Sequence, residues 1–167
     1  AVAWRTGLSQ YFINSVVVTV TSVLLSVTVS GLFAYGLSRF DFRGKKVALY
    51  VVLAGLLLSP QVALLPLYRL ITGIGLYNSY WALILPYVAF RLPFVTFLMR
   101  SYFLTLPREL ELAAYIDGCS PFRAFISIIV PISRPIVATA GIVSTRLIWN
   151  EFLFALVFID SKQKMTI

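Results

Sequence analysis

The stretch that decides the fold class is Tyr11–Ser38, which reads YFINSVVVTVTSVLLSVTVSGLFAYGLS. It lies within positions 6 to 38, where the chain carries no charged residue. A helix that crosses the roughly 30 Å hydrocarbon core of a bilayer needs about 20 apolar residues, whereas a barrel strand needs only ~10, alternating in polarity. The length of this run therefore predicts a membrane-spanning helix, although β-branched residues crowd its first half.

Three more apolar segments follow along the chain. Positions 47–68 and 70–90 carry no charge, and the second of these runs is expected to continue through Arg91 to Leu104. A further segment, 136–159, is interrupted by Arg146 and Glu151. We therefore expect an all-α integral membrane protein in which residues 1–167 form one transmembrane domain. Its spans are expected at about 11–38, 47–70, 80–104 and 136–159.

The composition supports the same class. Of the 167 residues 60% are hydrophobic and 12% are charged, whereas soluble domains average about 45–50% apolar and about 25% charged residues. The chain has no His and one Cys, so the usual metal ligands, His-based catalysis and an intrachain disulfide are excluded. The net charge of +8 by itself is also typical of nucleic-acid binding.

The positions of the basic residues favour a topological role instead, and we expect no nucleic-acid partner. Segments 39–46 and 100–134 hold four Lys or Arg residues each. An even number of predicted crossings places both segments on one side of the membrane, and the excess of positive charge predicts that this side is cytoplasmic. The opposite side receives Arg5, Arg69, Lys162 and Lys164, and Arg91 and Arg146 remain inside the bilayer.

The most informative segment lies in the predicted cytoplasmic loop 105–134 and reads PRELELAAYIDGCSPF over positions 107–122. Acidic residues near its start favour a helix N-terminus, and Gly118 favours the end of that helix. Ser120 followed by Pro121 is typical of the N-cap of a second helix, which is expected to run to Pro131. The segment therefore predicts two short helices joined at an angle.

This segment resembles the cytoplasmic loop of the membrane-spanning permease subunits of ATP-binding-cassette (ABC) importers, especially those of the carbohydrate-uptake branch. That loop reads Glu-Ala-Ala, three residues, Gly, nine residues, Ile, one residue and Leu-Pro. Matching positions here are Ala113, Ala114, Gly118, Ile128 and Pro131. Leu112 and Val130 stand where the family has Glu and Leu.

Shorter pieces extend the resemblance over almost the whole chain: Asn14-Ser15, Ala34-Tyr35, 39–44, Pro60-Gln61, 66–68, 75–78 and 149–152. Permeases of this branch have six spans, and this chain resembles spans two to five. The resemblance therefore implies that the 167 residues are the middle of a longer chain.

The resemblance implies the transmembrane subunit of an ATP-driven importer in a bacterial or archaeal plasma membrane. Such a subunit is not an enzyme. It forms half of a pathway for a sugar or related polar solute and works with an ABC ATPase dimer, which binds ATP and Mg, a second permease and an extracytoplasmic solute-binding protein. The residues expected to couple to the ATPase are Glu109, Glu111, Ala113, Ala114, Asp117, Gly118, Ile128 and Pro131. An amphipathic helix pair lying on the membrane is the alternative interpretation of this segment.

Charged groups at membrane depth form a second candidate site. An unpaired charge at the bilayer centre costs at least ~2.5–3.5 kcal/mol, so Arg91, Arg146 and Glu151 need a partner or a water-filled path. Arg91 and Glu151 are close enough in depth to pair, and Arg146 shares a helical face with Asn150. Three interpretations stay open: these residues line the pathway and bind a polar solute, they pack against the second permease, or the chain merely tolerates them.

Two other function classes fit the sequence less well than the importer. An ion-coupled secondary transporter needs an acidic relay within the membrane, and Glu151 is the only candidate. A membrane-embedded enzyme needs paired carboxylates, His or a Ser-based dyad within a span, and none is evident in the sequence. The chain also lacks the Gly-x-x-x-x-Gly-Lys-Ser/Thr pattern of a nucleotide site.

Overall fold

A computed structural model describes residues 9–161 of the chain, and within that range it contains helices and no strands. The expected all-α fold class is therefore confirmed. The helices are α1 Ser9–Arg39, α2 Lys45–Gly55, α3 Pro60–Gly73, α4 Trp81–Phe103, α5 Glu109–Ile116, α6 Pro121–Ala124, α7 Val130–Ile132, α8 Arg134–Trp149 and α9 Leu153–Phe158. A π-helical turn, Phe125–Ile129, joins α6 to α7.

Helices α1 and α4 form the centre of the molecule and run in the same direction. The hydroxyl of Tyr80, just before α4, donates a hydrogen bond to Asn14 Oδ1 near the start of α1 at 3.0 Å. At the far end, Arg39 of α1 donates to the carbonyl of Leu106, just after α4, at 3.2 Å. The two helices therefore cross the molecule side by side, and we call its two ends the Asn14 end and the Arg39 end.

A stripe of small polar residues lets these two helices approach closely. Ser22, Ser26 and Ser30 recur every four residues on α1, and each is fully buried at 0% exposure. Ser30 Oγ donates to the carbonyl of Leu92 in α4 at 3.3 Å. Small side chains at such positions bring helix backbones together in lipid, where the hydrophobic effect does not drive helices to associate.

Bends interrupt the remaining apolar segments. Helices α2 and α3 meet at 103°, and the helical run Pro121–Ile132 meets α8 at 78°. The first bend follows from Pro60 at the start of α3, which lacks the N–H that a continuing helix needs and disfavours helical backbone at Ser59. By length and apolar composition α1 and α4 are each candidate spans, and each bent pair passes the same test only when taken together, which gives two to four candidate spans.

Two hydrophobic clusters hold the bundle together, one near each end. The cluster at the Asn14 end joins α1 and α4 to the end of α8 and to α9, through residues such as Val18, Leu83, Ile148 and Phe154. The cluster at the Arg39 end joins α1 and α4 to the π-helical turn and α8, through residues such as Tyr35, Met99 and Phe125. The second cluster therefore fixes the helical run that follows α5 against the long helices.

Candidate coupling surface and membrane cavity

The first candidate site is built on α5 and on the turn that ends it. Gly118 has φ +80°, a left-handed conformation that residues with a Cβ rarely adopt. Its N–H donates to the carbonyl of Tyr115 at 3.1 Å, and the N–H of Cys119 donates to the carbonyl of Ala114 at 2.9 Å. These two bonds form the Schellman motif that closes a helix at a glycine. Gly118 therefore ends α5 as the sequence predicts.

The next helix begins at Pro121, three residues after Gly118, and Ser120 is its N-cap. Ser120 has extended backbone, and its hydroxyl accepts a hydrogen bond from the N–H of Arg123 at 3.3 Å. Pro121 occupies the first helical turn, where its missing N–H has no intrahelical partner to lose. The N-cap predicted at Ser120 is thus present, and the helical run continues through the π-helical turn to Ile132.

A buried ion pair attaches α5 to the end of α1. Arg39 Nε lies 2.7 Å from Glu111 Oε1, and the two side chains are 5% and 6% exposed. Tyr35, one turn before Arg39, donates from its hydroxyl to Glu111 Oε2 at 3.3 Å. The same hydroxyl lies 3.4 Å from the hydroxyl of Tyr115. The carboxylate of Glu111 therefore faces the long helices and not the outer surface.

Arg39 is a residue whose role the sequence did not indicate. In the sequence its charge indicates topology, and nothing in the spacing of the chain relates it to Glu111. Together with its bond to Leu106, its guanidinium joins the end of α1, the end of α4 and α5 at one point. The ion pair was missed because it depends on how three helices are placed relative to one another.

The opposite face of α5 is exposed and carries large apolar side chains. Leu112 and Ile116 lie four residues apart, hence on one face, and are 56% and 87% exposed. Phe122, at the start of α6, is 61% exposed. We call these three residues the coupling surface. Large apolar side chains grouped on a surface are typical of a site that contacts another protein or a membrane.

The other residues expected to couple fall on both sides of the segment. Glu109, Ala113 and Asp117 are exposed, Ala114 is buried, and Ile128 and Pro131 are partly buried. The exposed residues thus lie on the side of the coupling surface. The buried and partly buried residues lie on the side where the segment packs against the rest of the molecule.

The second candidate site is an open cavity of about 1000 Å³ between α3, α4, α8 and the start of α9. Arg91, Arg146, Asn150 and Glu151 all line it, as does Gln61 at the bend between α2 and α3. The structure therefore brings together the three charged residues that the sequence places at membrane depth, and Asn150 lies with them. Within residues 9–161 no group of three or more His, Cys, Asp or Glu side chains is placed to hold a metal ion.

Glu151 is held by groups of the protein itself. The hydroxyl of Tyr87 donates to Glu151 Oε2 at 2.9 Å. The N–H of Leu153 donates to Oε1 at 3.0 Å, and that of Phe154 donates to Oε2 at 3.1 Å. The carboxylate thus satisfies the free N–H groups at the start of α9, where the helix dipole also favours negative charge.

The two arginines of the cavity have no such partners. In the described part of the chain no carboxylate lies within 4.0 Å of the Arg91 or the Arg146 guanidinium. The pairing that the depth of Arg91 and Glu151 allows is therefore not formed within 4.0 Å, and the carboxylate instead accepts hydrogen bonds from Tyr87 and from the start of α9. Asn150 donates its side-chain N–H to the carbonyl of Arg146 at 2.7 Å, so these two residues do share a helical face.

Comparison with known proteins identifies the family. Residues 26–164 match the family described as "Binding-protein-dependent transport system inner membrane component". The chain belongs to this family. It is therefore a permease component of a transport system, and the resemblance inferred from the 107–131 segment is confirmed.

Named relatives cover nearly the whole of this permease chain. It is 53% identical to the probable ABC transporter permease protein YurM of Bacillus subtilis over 165 residues, which is 99% of the chain and 55% of the relative. It is 40% identical to the diacetylchitobiose uptake system permease NgcG of Streptomyces coelicolor, over 90% of the chain and 50% of the relative. It is 37% identical to the trehalose/maltose transport system permease MalG of Thermococcus litoralis, over 94% of the chain and 56% of the relative. The chain thus spans about half the length of the relatives it matches.

A solved structure shares the fold. The permease chain superposes on a chain of a bacterial ABC transporter involved in the import of the acidic polysaccharide alginate with a TM-score of 0.82 and 22% identity. The match covers 95% of this chain and 55% of the other. The arrangement of helices described above is therefore that of an ABC importer permease.

Proposed function

We propose that the chain is part of the transmembrane subunit of an ATP-driven importer and couples to a separate ATPase through residues 107–131. The complete transporter contains an ATPase dimer that binds ATP and Mg, a second permease and an extracytoplasmic solute-binding protein, in a bacterial or archaeal plasma membrane. Named relatives take up diacetylchitobiose and trehalose or maltose, which favours a sugar or a related polar solute here.

The observation that carries this proposal is the two-sided character of α5. One side is fixed to α1 by the buried pair of Arg39 and Glu111. The other side presents Leu112 and Ile116 at 56% and 87% exposure. A helix that is rigidly attached on one side and exposes large apolar side chains on the other is suited to act as a lever seated in a cleft of a partner protein.

The attachment of α5 allows its motion to be transmitted to the membrane helices. Motion of α5 acts on α1 and α4 through Arg39, and on α8 through the helical run 121–132 that follows Ser120. Closure of the ATPase dimer on ATP would therefore tilt the helices that border the large cavity. We propose that this cavity, with Arg91, Arg146, Asn150 and Glu151 on its wall, is this chain's half of the translocation pathway.

Leu112 has a defined place in this proposal. It stands where the family pattern has Glu, and it lies on the exposed face four residues before Ile116. A contact made by a carboxylate in other family members is therefore replaced by an apolar contact. Glu111 does not substitute for it, because its carboxylate is buried against Arg39.

The substitution Gly118→Asp tests the proposal in the full-length permease assembled with its own ATPase, second permease and binding protein. Left-handed backbone costs roughly 1–2 kcal/mol for a residue with a Cβ, and the new carboxylate adds charge beside the coupling surface. We expect ATP hydrolysis to continue while uptake of the sugar held by the binding protein falls. Normal uptake by this variant would show that the segment does not couple.

Gly75→Asp is the matched control. Gly75 also has positive φ, +74°, and a Cβ at either glycine meets no atom within 4 Å. Gly75 lies after α3 at the Asn14 end, far from the coupling surface. The control therefore carries similar backbone strain without touching α5, and we expect it to leave uptake coupled to hydrolysis.

An ion-coupled secondary transporter is the alternative function, and the structure argues against it. A proton relay needs a carboxylate that can release its hydrogen bonds and exchange with water. Both oxygens of Glu151 accept hydrogen bonds, from Tyr87 and from the start of α9. Uptake that persists without ATP but collapses with the ion gradient would favour this alternative.

A further inference from the structure

The charge of the large cavity points to the chemistry of its solute. Arg91 and Arg146 supply two positive charges to its wall, and Glu151 supplies one negative charge. That carboxylate is engaged by Tyr87 and by the N–H groups that open α9. In the part of the chain that the structure describes, neither guanidinium has a carboxylate within 4.0 Å.

A neutral sugar does not need such a site. Hydroxyl groups are bound by amides and other neutral donors, which the same wall offers in Gln61 and Asn150. A guanidinium is a rigid fork of N–H donors that matches a carboxylate, phosphate or sulfonate with two parallel hydrogen bonds. Two guanidinium groups in one open cavity are therefore suited to a solute that carries both an anionic group and hydroxyl groups.

We propose that the transported solute carries an acidic group that binds between Arg91 and Arg146 while Gln61 and Asn150 bind its hydroxyl groups. This inference rests on the proposed function, because it takes the cavity to be the translocation pathway. The competing arrangement is a carboxylate of the second permease that neutralises both arginines.

Charged thiol reagents measure the potential in the cavity directly. Val143 lines the cavity three residues before Arg146, so a Val143→Cys variant, with Cys119→Ser, reports on its interior. In the assembled transporter this cysteine is treated with 2-sulfonatoethyl methanethiosulfonate, an anion, and 2-(trimethylammonio)ethyl methanethiosulfonate, a cation. We expect the ratio of anionic to cationic rates to exceed the ratio for a free small thiol by roughly tenfold.

Removal of the arginines should abolish this preference. Arg91→Gln and Arg146→Gln should each lower the ratio several-fold, and the double variant should bring it to the value for a free thiol. Arg69→Gln, on α3 outside the cavity, should leave it unchanged. With both arginines present, a ratio equal to that for a free small thiol would mean that the second permease neutralises the arginines. No reaction with either reagent would mean that the cavity is sealed. Either result overturns the proposal.

Protection by sugars identifies the acidic group. With a neutral thiol reagent, we expect glucuronate or glucose 6-phosphate to slow modification of the Val143→Cys variant several-fold, and glucose at the same concentration not to. The two acids separate a carboxylate site from a phosphate site, and protection by neither overturns the assignment of an acidic solute. Binding-protein-stimulated ATP hydrolysis is measured on the same preparation, so that loss of the importer function itself is recognised separately.

Discussion

Glu111 is the single residue on which the attachment of α5 to the membrane helices most depends. Its carboxylate contacts Arg39 at 2.7 Å and accepts from the Tyr35 hydroxyl, and it is almost completely buried. Removing one partner of a buried ion pair leaves the other charge without compensation, which costs about 3–5 kcal/mol. At the scale of a residue, the attachment of α5 thus depends on one buried carboxylate.

Glu111→Ala is therefore expected to lower the thermal stability of the assembled transporter and to release the ATPase during purification. Glu109→Ala is the matched control, because Glu109 is an exposed carboxylate in the same first turn of α5. Surface substitutions of that kind usually change stability by about 0.5 kcal/mol or less. Equal melting temperatures and equal ATPase retention for the two variants would contradict the role assigned to the pair.

Gly55 sets the distance between two elements, α2 and α4. A Cβ at this position would lie 2.7 Å from Cγ of Pro93, which sits in the rigid ring of a buried proline inside α4. Neither helix has a flexible side chain at the contact that can move aside. The close approach of α2 to α4 therefore requires glycine here.

Gly55→Ala is expected to push α2 away from α4 and to destabilise the permease by about 1–3 kcal/mol, the usual cost of overpacking. Gly36→Ala is the control, since a Cβ at Gly36 in α1 meets no atom within 4 Å. Thermal unfolding of the purified full-length permease measures both. An unchanged melting temperature for Gly55→Ala would show that α2 is not packed against α4 in this way.

Ser120 caps the N-terminus of another element, α6, which follows the turn at Gly118. Its hydroxyl accepts from the N–H of Arg123, and loss of such an N-cap costs typically about 1 kcal/mol. We expect Ser120→Ala to increase hydrogen exchange of the amides of residues 122–124 while α5 is unaffected. Ser120→Asp should restore protection, since Asp is an equally good N-cap, and failure to do so would contradict the capping role.

The molecule as a whole has two distinct ends, and its topology follows from them. Segment 39–46 and the proposed coupling segment, residues 107–131, lie together at the Arg39 end, where Arg39 contacts Glu111. At the Asn14 end, Asn78 accepts hydrogen bonds from the N–H groups of Asp160 and Ser161 beyond α9. The basic residues around Arg39 predict that this end faces the cytoplasm.

Accessibility of single cysteines tests this orientation in whole cells. In a Cys119→Ser background, Thr72→Cys at the end of α3 should react with a membrane-impermeant thiol reagent added outside. Lys46→Cys at the start of α2 should react only after the membrane is permeabilised. Both positions are exposed in the structure, so the reverse pattern would contradict the proposed orientation and could not be ascribed to burial.

The sequence by itself determined the features that depend on local composition and backbone chemistry. The charge-free run Tyr11–Ser38 determined a helix, because backbone groups in lipid are satisfied within a helix. Gly118 and Ser120 determined the end of one short helix and the start of the next, since each acts on N–H and carbonyl groups within a few residues.

Only the tertiary structure decided which charges meet. Arg39 and Glu111 are far apart in the chain, and their contact depends on the depth and rotation of three packed helices. Arg91 and Glu151 line the same cavity without forming an ion pair. The Glu151 carboxylate instead accepts hydrogen bonds from the Tyr87 hydroxyl and from the N–H groups at the start of α9. Helical periodicity fixes the face of a residue within its own helix, and the partner it meets there is fixed by the packing of the whole molecule.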